Sequence, residues 1–270
     1  MLSTRGDRDS MDQIRAFYER IDRRSVYTTE DRAEEHTFYP LLMRFLDKWE
    51  LQSRRCLEIG SSKGLFQDVV DDYTGVDIAE SLSSFYHKKF IPVLDAHLPF
   101  SKDSFDAIFT YAEHEHIPDL ETALPEIVRV LKPGGVCLFA PAWHNRSWFA
   151  QGYAVRPYSD LPWQGKLIKF SIPFRDFILI CWPRIFLRRL THLLLYAISP
   201  RDIPIRYKKL KANYDQFWQS DSDACNSLDP FDVILWFRSR GIICHGQENL
   251  LKALYFRSPS LELQKPVLLE

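Results

Sequence analysis

The chain is short of the signals that usually declare a protein's setting. Its five cysteines, Cys56, Cys137, Cys181, Cys225 and Cys244, are scattered and form no CxxC pair. An odd, unspaced set argues against a disulfide framework and reads as reduced, mostly buried thiols in a cytoplasmic setting. No run of about 18 uncharged apolar residues occurs, so no membrane span is expected. The opening MLSTRGDRDS is polar and charged, which predicts no secretory leader. There is no internal repeat and no low-complexity tract. Net charge is nearly absent too, at -1 over 270 residues, and says nothing about partners until it is divided by region. What remains is ordinary for a soluble globular protein: 46% hydrophobic and 26% charged residues. The length suits one large domain, or one domain with a sizeable insertion.

One further absence is local. Residues 56–64 read CLEIGSSKG, a buried strand running into a turn, with Ser62 where a dinucleotide loop needs its middle glycine. Gly60 and Gly64 still let the backbone turn tightly and start the next element close to the strand. Before this point, MDQIRAFYERID places Ile14, Phe17, Tyr18 and Ile21 on one helical face. EEHTFYPLLMRFLDKWE does the same with Phe38, Leu41, Leu42, Phe45, Leu46 and Trp49. After it the chain alternates. CLEIG, TGVDI, IPVLDA, SFDAIFTYA and VCLFAPA read as strands; LFQDVVDDY, SLSSFYHKKF and ETALPEIVRVLK read as helices between them. Such alternation predicts an α/β protein with a parallel sheet and helices on both faces. It stops near Trp143 and resumes at Asp229, a helix cap, with Pro230 in the first turn and Gly241 at the end. IICHG and ALYFR then read as two closing strands.

In an open parallel sheet a ligand sits beyond the carboxyl ends of the strands. Asp77 and Asp95 end the second and third strands there, and Asp77 can accept bonds from ribose hydroxyls. The stretches LEIGSSKG, GVDIAES, LDAHLPFSKDSFDAI, EHIPD and EIVRVLKPGG together resemble class I S-adenosylmethionine-dependent methyltransferases of the type 11 group, over roughly residues 50–142. The resemblance implies a doubly wound, mostly parallel, seven-stranded Rossmann-like sheet of order 3-2-1-4-5-7-6. Its last strand is antiparallel, and a helical insertion follows the fifth strand. The domains expected are 1–50, helices covering the sheet; 51–142, the cofactor-binding core; 143–228, a substrate or lid insertion; and 229–270, the last helix and closing strands. It also implies roles for residues. Glu58 helps orient the methionine amino group, and Gly60, Ser61 and Ser62 pass beside the methionine moiety, with Gly64 closing the loop. Asp77 holds the ribose, Ile78 lies against the adenine, Asp95 faces the adenine amino group with Ala96 and His97 beside it, and Tyr111 lies near the sulfonium. Serine at position 62 suits a cofactor with no pyrophosphate to cradle.

His144, after the fifth strand, and His116, in the EHIPD turn, are candidate general bases for transfer to a hydroxyl; simple hydrogen-bonding roles in loops stay open for both. His114 and His116 flank Glu115 but share no helical face and have no converging partner set, so no metal is predicted.

The insertion holds the charge asymmetry. Residues 143–218 carry thirteen Lys and Arg against four acids (Asp160, Asp176, Asp202 and Asp215), a net +9, leaving -10 for the rest. Sixteen aromatics fall in the same span. Two readings stay open: a lid whose apolar face packs on the sheet edge, or helices lying at an anionic membrane surface. An RNA surface ranks below both, since no RNA-binding module appears. A polar loop follows, with Asp221, Asp223, Asn226 and Asp229, suited to a polyol or simply to turns and a cap. The expectation is transfer of a methyl group to an oxygen of a small-molecule, saccharide or lipid-linked acceptor, by a cytoplasmic protein that is soluble or peripheral at the membrane. The alternatives are an RNA methyltransferase, a non-catalytic cofactor-binding partner subunit, and a nicotinamide dehydrogenase.

Overall fold

The computed structural model describes residues 5–22 and 30–267. By compactness the chain divides into two units, 1–141 with 260–270, and 142–259. In the first, helix α1 (Arg5–Asp22) buries Ile14 and Phe17. Helix α2 (Tyr39–Lys48), with Pro40 in its first turn, buries Leu42, Phe45 and Leu46. Ile21 is among the residues whose side chains are not described. Five strands follow: β1 (Arg55–Ile59), β2 (Asp72–Asp77), β3 (Lys89–Pro92), β4 (Phe105–Tyr111) and β5 (Leu131–Ala140), with helix α3 (Leu120–Val130) between the last two. β1 pairs in parallel with β2 and β4, β2 with β3, and β4 with β5. Alternate residues Ala107, Phe109, Val136, Leu138 and Ala140 share a core with Phe38 and α2, as the two-residue period of a strand requires. α3 buries Leu124, Ile127 and Val130.

The second unit holds helices α4 (Trp163–Asp176) and α5 (Ile178–Ile198) and a two-stranded antiparallel sheet, β6 (Tyr207–Lys209) with β7 (Asn226–Leu228). Helix α6 (Pro230–Ser239), strand β8 (Ile243–His245) and the short helix α7 (Leu250–Ala253) complete it. Strand β9 (Leu261–Gln264) returns to the core and runs antiparallel to β5. The sheet order is β3-β2-β1-β4-β5-β9-β8. Counted along this sheet alone, that is the expected 3-2-1-4-5-7-6, with the last strand reversed.

Four local expectations are corrected. LFQDVVDDY is a run of turns rather than a helix: Gly64, Gln67 and Val69 each donate to the carbonyl three residues back. The chain has only to cross from Gly60 to Asp72, and Phe66 and Val70 reach the core from turns. SLSSFYHKKF forms only a short 3₁₀ helix, Glu80–Phe85. The third strand ends at Pro92 rather than running to Ala96, since its partner β2 ends at Asp77 opposite Pro92. ALYFR is not a strand: the Asn249 side chain accepts from Leu251 and Lys252 N–H groups and caps α7, so the closing strand is Leu261–Gln264.

Candidate functional site

Where β1 ends, the chain is bound down onto its neighbour. Gly60 and Ser61 both donate their N–H to the Val76 carbonyl, at 3.0 and 3.1 Å. Gly60 turns with φ of 73°, and Ser62 follows with φ of 44°, a left-handed conformation that glycine adopts without strain. The backbone N–H of Ser62 donates to Asp77 Oδ2 at 2.8 Å. The Tyr86 hydroxyl closes the loop from below, 2.8 Å from the Ser62 carbonyl and 2.7 Å from Ser61 Oγ. A Cβ on Gly64 would meet the Tyr86 ring.

Acids gather around this loop. Glu58 is buried in β1 and accepts a hydrogen bond from the Tyr73 hydroxyl. Burial pushes its carboxyl up to about 8, and the charge of Asp77 adds to the rise. Asp77 ends β2, with Oδ1 accepting from Ala79 N–H at 3.2 Å. Burial raises its pKa as well, against the pull of the backbone N–H groups of Ser62, Ala79 and Ile78. Ile78 is half-buried beside it. A third acid was not foreseen: a methyl group on Gly60 would overlap the carboxylate of Glu113, which therefore lies against the loop. Its position in sequence, inside AEHEH, carries no such signal. Tyr73 and Tyr86 were missed for the same reason, since only packing brings them under the loop.

The other expected residues lie as follows. Tyr111, at the end of β4, stacks on Phe38 at 4.7 Å and meets the His36 ring edge-on at 5.3 Å. Its hydroxyl is 3.4 Å from Thr37 Oγ1. Asp95 and His97 have exposed side chains on the loop after β3; Asp95 Oδ1 accepts from its own neighbour, His97 N–H, at 2.8 Å. Ala96 sits between them, half-buried. The Asp95 carboxylate is thus turned into a local loop bond. His116 is buried, its ring edge-on to Tyr18 at 6.3 Å and its Nε2 3.9 Å from Glu115. His144 belongs to the other unit, with φ of 60° and Nδ1 4.0 Å from Asp229. Burial pushes it down to about 4, so its imidazole is neutral at pH 7. In that unit Asp229 caps α6 through Phe231 N–H and is also the counter-ion of Arg188 and Arg189; Asp223 and Asn226 are buried.

What can this loop hold? Glu58, Asp77 and Glu113 offer acceptors in surroundings where burial is the chief cause of the raised pKa values of the first two. A pyrophosphate would bring two more negative charges against them and is disfavoured. A ligand with an ammonium, a sulfonium and ribose hydroxyls presents the cations and donors that the set lacks.

Residues 57–139 match a family model described as a methyltransferase domain. That stretch is similar to a type 11 methyltransferase domain. S-adenosylmethionine is the cofactor of that class, and the acidic loop fits it. This chain is 31% identical over 122 residues to sterol 4-C-methyltransferase strm-1 of Caenorhabditis elegans, which is 39% of this chain and 36% of that protein. It is 27% identical over 150 residues to malonyl-[acyl-carrier protein] O-methyltransferase 1 of Coxiella burnetii, 50% of this chain and 53% of that one. The chain therefore spans about a third to a half of these curated relatives. Among solved structures, an S-adenosylmethionine-dependent methyltransferase from Mesorhizobium loti aligns over 86% of this chain and 99% of its own, at 13% identity and a TM-score of 0.47. Gly60, Ser62, Asp77 and His116 all lie within the matched residues.

Proposed function

We propose that this chain transfers the methyl group of S-adenosylmethionine to an oxygen of a small-molecule, saccharide or lipid-linked acceptor. The observation that carries the donor is the acid cluster at the Gly60 turn, Glu58, Asp77 and Glu113, which suits a cationic, ribose-bearing ligand and opposes a pyrophosphate. When bound, that donor supplies an electrophilic methyl group on a sulfonium. Asp77 already holds Ser62 and Ala79 N–H groups, one on each oxygen, and an ionised carboxylate keeps further lone pairs for two ribose hydroxyls. Glu58, neutral at pH 7 in the free protein and backed by Tyr73, would accept from the donor's ammonium and ionise as that charge arrives. Gly60 leaves room for the ligand only as far as Glu113 allows.

For the hydroxyl's proton, His116 is the better of the two candidates. His144, held down to about 4, would take a proton only weakly near neutral pH. Alignment of acceptor and donor then supplies most of the rate. A lipid-linked acceptor is supported by the apolar and basic character of residues 143–218 and by two relatives named for a sterol and for a malonyl-acyl-carrier protein.

Calorimetry with S-adenosylmethionine, S-adenosylhomocysteine and a nicotinamide dinucleotide tests the donor. The first two should bind and the third should not. Asp77→Ala should weaken S-adenosylmethionine binding by about 1–3 kcal/mol through loss of a charge-assisted bond pair. Dinucleotide binding in place of S-adenosylmethionine would sink the reading. Radiolabelled methyl transfer into lipid, saccharide and RNA fractions tests the acceptor; binding without transfer to any of them would leave a partner subunit.

A further inference from the structure

Helices α4 and α5 hold out large apolar side chains to solvent. On α4, Trp163, Leu167, Phe170 and Phe174 recur at intervals of four, three and four residues, which at one turn per 3.6 residues puts them within an arc of about 60°. They are 69%, 59%, 64% and 57% exposed. On α5, Leu187, Leu194 and Ile198 recur at seven and four residues and are 62%, 58% and 82% exposed. A lone exposed leucine needs no explanation, but aligned rows of them mark a contact surface.

The charge beside the rows identifies the contact. Residues 163–201 contain Lys166, Lys169, Arg175, Arg184, Arg188, Arg189 and Arg201 against one acid, Asp176. Arg189 is fully buried on Asp229 and Arg188 pairs with the same carboxylate. Lys166, Arg175, Arg184 and Arg201 are exposed. Cations flanking a Trp, Phe and Leu face are the chemistry of a helix lying in a bilayer interface. A second copy of this surface would meet it with like charge, and a nucleic acid would leave the aliphatic row of α5 in water. Among the described residues no helix is long and apolar enough to cross a membrane.

We infer that α4 and α5 dock on an anionic lipid surface. The Trp163–Phe174 and Leu187–Ile198 rows enter the acyl boundary, and Lys166, Arg175 and Arg184 meet headgroup phosphates. The test is co-sedimentation of the full chain with phosphatidylcholine vesicles, with and without phosphatidylglycerol. The protein should pellet with the anionic vesicles at low salt and be released as salt rises. Leu167→Ser with Phe170→Ser should lower partitioning by about tenfold or more, and Lys166→Glu with Arg184→Glu by a similar factor. S-adenosylmethionine binding, measured alongside, should be unchanged in both variants and reports that they fold. The inference is overturned if anionic vesicles leave the protein in solution, or if neither variant reduces binding. It is also overturned if light scattering shows a dimer that Leu167→Ser with Phe170→Ser dissolves while vesicle binding persists. Sedimentation needs no turnover, so this result and the methyl-transfer reading fail separately.

Discussion

Ser62 stands where a cofactor loop prefers glycine, and it holds the backbone angle that glycine would. A left-handed serine costs on the order of 1 kcal/mol, in a turn whose backbone N–H at this position is held by Asp77. Glu58 shows the opposite economy: it is a carboxyl kept neutral by its surroundings. Its pKa rises from an ordinary 4.5 when unfolded to about 8 when folded, chiefly through burial. Folding therefore takes up a proton between those two values. The associated stability is full below about pH 4.5 and is lost as pH rises through about 8. In urea unfolding without cofactor, the wild type should lose a few kcal/mol between pH 5 and 8.5 that Glu58→Gln keeps. Parallel pH profiles for the two proteins would show that Glu58 is already ionised at neutral pH.

Helix α6 is organised by one carboxylate. Asp229 accepts from Phe231 N–H at 2.9 Å, from Arg189 Nε at 2.9 Å, and from Arg188. Arg189 also donates to the Leu254 carbonyl at 2.6 Å, so α5, α6 and the end of α7 meet on it. Removing the acid leaves a fully buried guanidinium without its counter-ion. Asp229→Ala should cost about 3–5 kcal/mol for the broken pair and about 1 kcal/mol for the lost cap. Arg189→Met in that background should recover most of the first part. Chemical denaturation of the four proteins of this cycle checks it: additive single effects would mean that the pair is not coupled. Asp229 was read from the sequence as a cap, and it is one. Its role as a counter-ion came only with α5, a helix some forty residues earlier in the chain.

At the scale of the molecule, a net charge of -1 conceals a +9 segment and a -10 remainder. Concentrated positive charge governs adsorption more than the total does. The protein should therefore be retained on a cation-exchange resin at pH 7.5, above its pI of about 6.7, and elute with moderate salt. Flow-through at low salt would show the basic residues to be spent on internal pairs, as Arg188 and Arg189 are. The five cysteines are all free, with Cys56, Cys137 and Cys244 buried and their thiols pushed up by desolvation, as expected of unpaired core residues.

Some of this was dictated locally. Strands β1, β4 and β5, helix α3 and the capped start of α6 follow from short-range patterns: apolar runs in strands, the 3.6-residue period in helices, and a carboxylate beside free N–H groups. The order of the sheet was legible through a resemblance in motif order and spacing. The folding of 65–71 into turns was not, because an apolar pair four residues apart serves a helix and a series of turns equally well. Nor was ALYFR, where strand-forming residues gave way to the Asn249 cap and the strand fell farther on, opposite β5. Glu113 against Gly60, Tyr73 on Glu58 and Arg189 on Asp229 depend on residues 15 to 53 positions apart meeting in space, and no local pattern encodes such meetings. Whether the aromatic rows of α4 and α5 face inward or outward was likewise undecided in the sequence, since one periodicity serves both a core and an interface. The tertiary structure turned them to solvent.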